Sequence, residues 1–480
     1  MAKGTSIKDM PQDPLEGARN MDAPSGLPKT IDRFPEGIVT PPPSKSVSHR
    51  ALICAALAGG ERAIGRIKNL GASDDIDATR RGVMKIVSSW QGGEPGFSRK
   101  AVGRPDVLRA VGVGTDAEDG GGARVIDCGE SGSTLRFLIP LAGLDGHEWV
   151  FRGRGRLLER PLALYRSVFE QSGGAFEQGA DEVRVRGPLR SGVYELPGDV
   201  SSQFISGLLL ALPLADGDSE ISLTSPLESA DYARLTADVM SAFGVDVVET
   251  GDGGDGVVNF DRITGWQISG GQSYKSARYT VEADWSQAAF FLCAGALGRR
   301  VVVDGMSPGS LQGDMRILGI LKDMGCDVDA EMRAFPNRGV CHVRALAPLA
   351  GLNAVTVDAR DIPDLAPPVA ALACYLPGES RIDNAGRLRL KESDRFAALA
   401  GELSNIGADI RADGDALVIR GRDSLAGGRA DAHGDHRIAM ALAVAAIGCE
   451  TPVELSGWES VSKSYPNFWW DFERTEKNET

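Results

Sequence analysis

Six times along the 480 residues, a short polar or charged run gives way to a helix-length stretch that is apolar on every side. Pro43-Ser44-Lys45-Ser46-Val47-Ser48-His49-Arg50 precedes ALICAALAGG, GESGSTLR (129–136) precedes FLIPLAG, and SSQ (201–203) precedes FISGLLLALPLA. EADWSQ (282–287), DIPD (361–364) and GDHR (434–437) lead in the same way into AAFFLCAGALG, LAPPVAALACYLPG and IAMALAVAAIG. A helix apolar all round belongs in an interior. Its first turn leaves N–H groups unpaired and carries about half a unit of positive charge. Hydroxyls and cations added there make an anion site. One such start reads equally well as a Ser cap; six, spaced roughly 70 to 90 positions apart, read as one repeated device.

Between these stretches runs an amphipathic helix type that stops at Gly and continues as a strand: SVFEQSGGAFE, DVMSAFGVDVVE, ILKDMGCDVDA and ELSNIGADIRA. Gly174, Gly244, Gly325 and Gly407 are expected at the helix stops. A degenerate copy occupies 75–93, and a last helix is expected from about 462. The chain thus reads as six copies of one α/β unit. So long a period exceeds that of solenoids, which predicts closed domains, and the length predicts two of them. Residues 1–35, polar and rich in Asp, Pro and Gly, read as a mobile tail. Residues 44–279 form the expected first domain, and 36–43 with 280–480 the second, with hinges at 36–43 and 272–286. The patches at 115–122 and 251–256 read as surface loops.

A net charge of −14 without a basic tract argues against a nucleic-acid partner. It does not argue against a small anion, because the local field decides that. The relevant cations are Lys45, Arg50, Arg136, Arg156, Lys391, Arg395, Arg437 and Lys463. Seven scattered Cys without a CxxC read as buried thiols in a reducing compartment. Only His433 and His436 lie close together, and no Cys or carboxylate completes a zinc-like spacing, so no metal is expected. The first 35 residues hold no apolar secretory segment and too many acids for a transit peptide. No apolar run reaches membrane-spanning length without polar breaks. A soluble, cytoplasmic monomer acting on small molecules, away from membranes and nucleic acid, is expected.

The ordered set SKSVSHR, GESGSTLR, RGRLLERP, SSQ, IPD, LKESDR, GDHR and KSYP resembles the 5-enolpyruvylshikimate-3-phosphate synthase family, over about residues 38 to 472. Any one of these motifs arises by chance; eight in order, on matching repeats, are specific. The resemblance implies an α/β enolpyruvyl transferase fold, an inside-out α/β barrel. Two domains, each of three repeated βαβαββ-type units, would be joined by two crossings, with the buried helices pointing their N-termini into the cleft between. It implies transfer of the enolpyruvyl group of phosphoenolpyruvate to the 5-hydroxyl of 3-phosphoshikimate with release of phosphate, a step toward the aromatic amino acids. No cofactor is implied, and glyphosate is implied as an inhibitor.

Carried over position by position, the resemblance places Lys45 against both substrates, and Ser46 and Arg50 on 3-phosphoshikimate, with Arg50 on its carboxylate. Ser201, Ser202 and Ser229 would surround the 3-phosphate, and Gln203 would lie between the ligands. Gly132, Arg156, Arg395, Arg437 and Lys463 would contact phosphoenolpyruvate. Asp364 would accept the proton of the 5-hydroxyl with Lys391 beside it, and Glu392 would protonate the methylene carbon of phosphoenolpyruvate. That chemistry asks for one ionised and one protonated carboxyl. The bland alternative is that Asp364, Glu392, Asp394, Ser201 and Ser202 are helix caps, a role that does not exclude binding.

Three positions depart from the commonest family pattern. Glu130 stands where Asn is frequent and must point away or pair with a cation, Arg136 or Arg156. Pro43 replaces a frequent Gly, and Arg387 stands where Asn is frequent near the shikimate phosphate, so it is left outside the expected site. The rival family moves enolpyruvyl to UDP-N-acetylglucosamine and carries a reactive loop Cys, which 152–161 lacks, and a Lys-Asn pair, where Lys45 is followed by Ser46. A non-catalytic binder of phosphorylated metabolites would be free to lose one carboxyl, yet Asp364 and Glu392 are both present.

Overall fold

A computed structural model describes residues 27–92, 123–251, 263–335, 338–346 and 351–474. The patch at 115–122, nearly all of that at 251–256 and the first 26 residues lie outside the described residues. All six buried helices form: Lys45–Ile64, Gly132–Ala142, Ser202–Ala211, Trp285–Ala296, Ala366–Ala373 and His436–Ala445. The first breaks near its end at Gly59 and Gly60, where the backbone leaves helical values.

Five of the six starts are capped by the side chain just ahead. Ser44 accepts from the Val47 amide, Ser131 from Thr134, Ser201 from Gln203, Asp284 from Ser286 and Gln287, and Asp435 from Arg437. The fifth helix is different. Its cap position is Leu365, which offers no side-chain oxygen, so Asp364 stands one residue outside and does no capping. Asp394 caps the Arg395–Asn405 helix, which leaves Lys391 and Glu392 ahead of it in extended backbone and a bend.

Four sheets share one pattern: a parallel pair, then two antiparallel strands. Arg124–Asp127 runs parallel to Glu148–Arg152, which pairs antiparallel with Glu182–Arg186 and that with Ala175–Gln178. Val193–Leu196, Ser219–Leu223, Ile263–Ile268 and Val248–Gly251 repeat it, as do Thr356–Asp358, Glu379–Asp383, Ala416–Arg420 and Asp409–Asp413. The fourth sheet borrows its parallel strand, Gly37–Val39, from the start of the chain to pair with Val301–Met306. Lys29–Ile31 similarly joins Val453–Ser456. Residues 27–35 of the expected tail are therefore ordered. Ile31 is buried in the core, and the Lys29 ammonium meets Glu473 at 2.6 Å and lies over the Trp458 and Trp469 rings, which explains why this stretch is held.

Of the four expected Gly stops, Gly244, Gly325 and Gly407 have φ of 74°, 92° and 102°. In the first copy the left-handed residue is Gly173, at φ 78°, and not Gly174. Gly174 instead lies against the Arg186 carbonyl, which a β-carbon would approach to 2.7 Å. The degenerate copy is the helix Asp74–Gly92. The last α-helix starts later than expected, at Phe468, because Pro466 interrupts the run after a 3-10 turn at Trp458–Lys463.

Two hydrophobic cores result. One gathers Val47 through Val281, the other Ile31, Val39 and Ala283 through Phe472. The chain passes between them twice, and the two passages hold each other: Pro43 bridges Ala283, the Ser44 amide donates to Glu282 O at 2.7 Å, and the Asp284 amide to Pro42 O at 2.9 Å.

Candidate active site

The helix starts of both cores face one cleft. From the first core, Arg50 enters almost wholly buried, at 2% exposure. Its guanidinium is fixed by Thr236 Oγ1 at 2.7 Å, Ser46 O at 2.8 Å, Tyr232 O at 3.0 Å and Ser206 Oγ at 3.2 Å. Lys45 Nζ meets Asp75 Oδ2 at 2.9 Å. Burial would lower its pKa, but the carboxylates of Asp75 and Glu392 outweigh that and leave it raised. Arg136 Nη1 donates to Gln203 Oε1 at 3.0 Å, and Gln203 Nε2 to Ser133 Oγ at 3.1 Å. Gly132 lies beside them: a β-carbon there would stand 2.9 Å from Arg160 Nη1 and 3.0 Å from Arg136 Nη1.

From the second core come the carboxyls. Asp364 receives Arg395 Nη1 on Oδ1 and Arg437 Nη2 on Oδ2, each at 3.1 Å, with Lys391 Nζ at 3.5 Å. Arg395, 1% exposed, also donates to Glu392 through Nη2 and to Asp435 Oδ2 through Nε at 2.7 Å. One guanidinium thus ties the two expected catalytic carboxyls together. Burial pushes the Asp364 pKa up, but Arg437, Lys391 and Arg395 prevail and hold the carboxyl far below its ordinary range. Glu392 behaves alike: burial raises it, and Arg395, Arg160, His436 and Lys45 hold it well below. These surroundings favour the ionised form of Glu392, whereas the expected role needs its protonated form. A third carboxyl, Asp314, goes the other way. Burial and then the neighbouring Asp364 charge push it up to about 7.

The cores also touch across the cleft. Ser229, in the left-handed region at φ 57°, donates its amide to Asp361 Oδ1 at 2.6 Å. Arg387 Nη1 reaches Glu228 Oε2 at 3.0 Å and Ser229 Oγ at 3.2 Å. The Tyr232 hydroxyl donates to Asp314 Oδ2 at 3.3 Å.

The family model for EPSP synthase (3-phosphoshikimate 1-carboxyvinyltransferase) matches residues 31–472. The chain belongs to the EPSP synthase family. The 3-phosphoshikimate 1-carboxyvinyltransferase of Clostridium kluyveri is 41% identical over 442 residues, covering 91% of this chain and 94% of the relative. That of Clostridium novyi is 40% identical over 455 residues, covering 93% and 96%. Among solved structures, an EPSP synthase from Acinetobacter baumannii superposes with a TM-score of 0.65 at 23% identity, over 93% of this chain and 96% of its own. The enolpyruvyl transferase NikO of Streptomyces tendae gives 0.63 at 18% identity, over 93% and 97%. Both likenesses carry the fold: repeated βαβ-type units of an enolpyruvyl transferase.

For this EPSP synthase family member, the cleft brings together Lys45, Ser46, Arg50, Gly132, Ser201, Ser202, Gln203, Ser229, Asp364, Lys391, Glu392, Arg395 and Arg437. It does not bring in Arg156 or Lys463. The Arg156 side chain is 42% exposed and pairs with Glu159, while Arg160, one turn on, lines the cleft in its place. Lys463 is held by Glu130, so the partner of Glu130 is neither Arg136 nor Arg156. Arg387, left outside the expected site, lines it. Asp75, Gln312 and Asp314 were not foreseen. They come from segments after strands and not from buried-helix starts, so the repeated pattern carries no signal for them. Arg160 belongs to the quoted motif RGRLLERP, of which the sequence reading singles out only Arg156. Among the described residues no cluster of His, Cys, Asp or Glu is arranged to hold a metal ion.

Proposed function

We propose that the chain transfers the enolpyruvyl group of phosphoenolpyruvate to the 5-hydroxyl of 3-phosphoshikimate, releasing phosphate. The observation that carries this is the cleft's charge: eight cationic side chains, from Lys45 to Arg437, face five carboxylates, one of them Asp314. Such an excess suits two ligands that each bring a phosphate and a carboxylate. Ser201, Ser202 and Ser229, with Arg387 across the cleft, hold the 3-phosphate; Arg50 holds the ring carboxylate. Gly132, Arg160, Arg395 and Arg437 take phosphoenolpyruvate, Gln203 lies between the ligands, and Lys45 meets both.

Asp364, ionised and aimed by Arg395, Arg437 and Lys391, accepts the proton of the 5-hydroxyl while that oxygen attacks C2 of phosphoenolpyruvate. Glu392 delivers a proton to C3. The tetrahedral adduct then loses phosphate from C2, the proton held by Asp364 leaving with it, as C3 returns a proton to Glu392, and the enol ether remains. Because Arg395, Arg160 and Lys45 favour the ionised form of Glu392, the incoming anions must first take up the charge of these cations. Their binding raises the Glu392 pKa, and the carboxyl then takes up a proton from solvent. Glyphosate, longer than phosphoenolpyruvate, occupies the same place against Gly132.

The two cores are two domains of three βαβαββ-type units each, 44–279 against 36–43 with 280–480, closed as an inside-out α/β barrel. A working monomer is part of the same proposal. Among the described residues no helix is long and apolar enough to cross a membrane. Six Cys among the described residues are free, five of them buried, which fits a reducing cytoplasm. No Cys among the described residues lines the cleft, which disfavours transfer to UDP-N-acetylglucosamine. The test is phosphate release from phosphoenolpyruvate in metal-free buffer. It should require 3-phosphoshikimate, and release with UDP-N-acetylglucosamine in its place would overturn the reading.

A further inference from the structure

Five carboxyls line the cleft, and four of them have a partner for their charge. Asp75 meets Lys45, Asp364 meets Arg395, Arg437 and Lys391, and Glu392 meets Arg395. Asp284 accepts from the amides of Lys45, Ser286 and Gln287 at 3.1, 2.9 and 3.3 Å. Asp314 is the exception. It is 4% exposed, its Oδ1 is buried with no hydrogen-bond partner, and among the described residues its Oδ2 accepts only from the Tyr232 hydroxyl, at 3.3 Å. Asp314 belongs to the Gly313–Arg316 turn of the second core, and Tyr232 to the Ala230–Ala242 helix of the first. The Tyr232 carbonyl also receives Arg50 Nη2, and Asp364 is the charge that acts most on Asp314, so the bond spans the cores on the side of Arg50 and Asp364.

A buried carboxylate with no cation beside it is costly, and taking up a proton relieves the cost. The groups facing Asp314 are Tyr232, Asp364, Asp284 and Arg437. Arg316, on the same turn, is directed instead to Asp231 at 2.7 Å. Burial, then the charges of Asp364 and Asp284, outweigh Arg437 and the Tyr232 bond and push the carboxyl up to about 7. With Tyr232 donating to Oδ2, the proton of the neutral acid belongs on Oδ1, where the protein supplies no acceptor. A buried O–H in that position costs free energy until something in the cleft accepts from it.

We propose that Asp314 is a ligand-binding gate on the ring side of the cleft. As the neutral acid it donates from Oδ1 to an oxygen of the anionic ligand there, and as the carboxylate it repels that ligand. This inference rests on the proposed function, in which the ligand is 3-phosphoshikimate. The neutral form also leaves Asp364 the only negative charge of the two, which keeps Asp364 ionised for its role as base. Closing the cores over an ionised Asp314 would bury two carboxylates and a ligand anion together, with no cation paired to Asp314. Only the molecules carrying the proton bind well, so apparent affinity scales with their fraction.

The test is binding of 3-phosphoshikimate, followed by calorimetry at pH 6 and pH 8, to the unaltered protein, Asp314→Asn and Asp314→Ala. The Asn amide keeps a donor at the Oδ1 position and an acceptor for Tyr232, without the charge. The ligand's own phosphate titrates in this range, so the ratios between proteins at one pH are read. The protonated fraction of Asp314 falls from about nine-tenths to about one-tenth, so the unaltered protein should match Asp314→Asn at pH 6 and bind about tenfold more weakly at pH 8. Asp314→Ala, which lacks the donor, should bind about two- to tenfold more weakly than Asp314→Asn at both. If the Asn variant does not fold, the ratio of the unaltered protein to Asp314→Ala carries the same tenfold change. A ratio to either variant that is equal at the two pH values overturns the proposal, as does equal binding by the two variants. Phosphate release is measured separately. Its absence would remove the proposed reaction and leave the binding ratios standing, whereas normal release with a constant ratio would remove only the gate.

Discussion

Asp364 shows how much one residue of displacement matters. Standing ahead of Leu365, it spends neither oxygen on the helix and gives both to Arg395, Arg437 and Lys391. The motif was legible in the sequence, but its freedom from capping was not, since a run of Ile-Pro-Asp does not fix which residue takes the cap. Asp364→Ala and Glu392→Gln should each lower kcat by at least about a hundredfold, the usual cost of a lost acid or base. Binding of 3-phosphoshikimate should survive Glu392→Gln better than Asp364→Ala, which titration of that ligand would check; near-normal turnover in either variant removes that residue from the chemistry. Asp314 makes a different prediction. Its folded-state pKa, about 7, lies above the ordinary 3.8. Its contribution is therefore fully present below pH 4 and is lost as pH rises through 7. Asp314→Asn, neutral at every pH, should gain in Tm relative to the unaltered protein across that window and hold the gain above it. A Tm difference that stays flat with pH would mean that Asp314 is ionised throughout.

At the scale of elements, the polar-then-apolar pattern located all six buried helices because it reports two facts at once, burial along the body and exposure to the cleft at the tip. Strand partners were less legible. Nothing in the sequence of Gly37–Val39 says that it pairs with Val301–Met306, some 260 residues away, because a three-residue strand carries almost no register information. The Gly173–Gly174 pair was equally opaque: either residue tolerates a left-handed turn, and only the Arg186 carbonyl decides between them. Packing of the second and third buried helices depends on one small residue. A β-carbon on Gly207 would lie 2.4 Å from both the Arg136 carbonyl and the Tyr165 hydroxyl. Gly207→Ala should cost about 1–3 kcal/mol or more in chemical denaturation, as overpacking of a tight core does, and should disturb Arg136 from behind. A neutral substitution would show that the two helices can move apart freely.

Across the whole molecule, the repeat made six units legible, but which core each end of the chain joins was settled by tertiary contacts. The start of the chain completes sheets of the second core, and the two passages at Pro43 and Ala283 are paired with each other, as a single proposed hinge. The cleft between the two cores holds eight cations against five carboxylates, an excess of positive charge that favours opening. Without ligand the two cores should separate in solution, and small-angle scattering should show the radius of gyration fall when 3-phosphoshikimate is added. An unchanged radius, even with both substrates, would mean that contacts such as Arg387–Glu228 and Arg316–Asp231 hold the cleft shut by themselves. Closing the cores sets the first core's Lys45, Arg50, Ser201, Ser202 and Gln203 over Asp364 and Glu392 of the second, and the chemistry turns on the proton transfer proposed for Glu392. Turnover in deuterium oxide tests that directly. If Glu392 protonates C3 and later removes a proton from it, the enol ether product, followed by mass spectrometry, should carry solvent deuterium on its methylene carbon. The label should appear in the product only when both substrates are present. A product formed at full rate with no deuterium would contradict it, since the carbon would then never have been protonated.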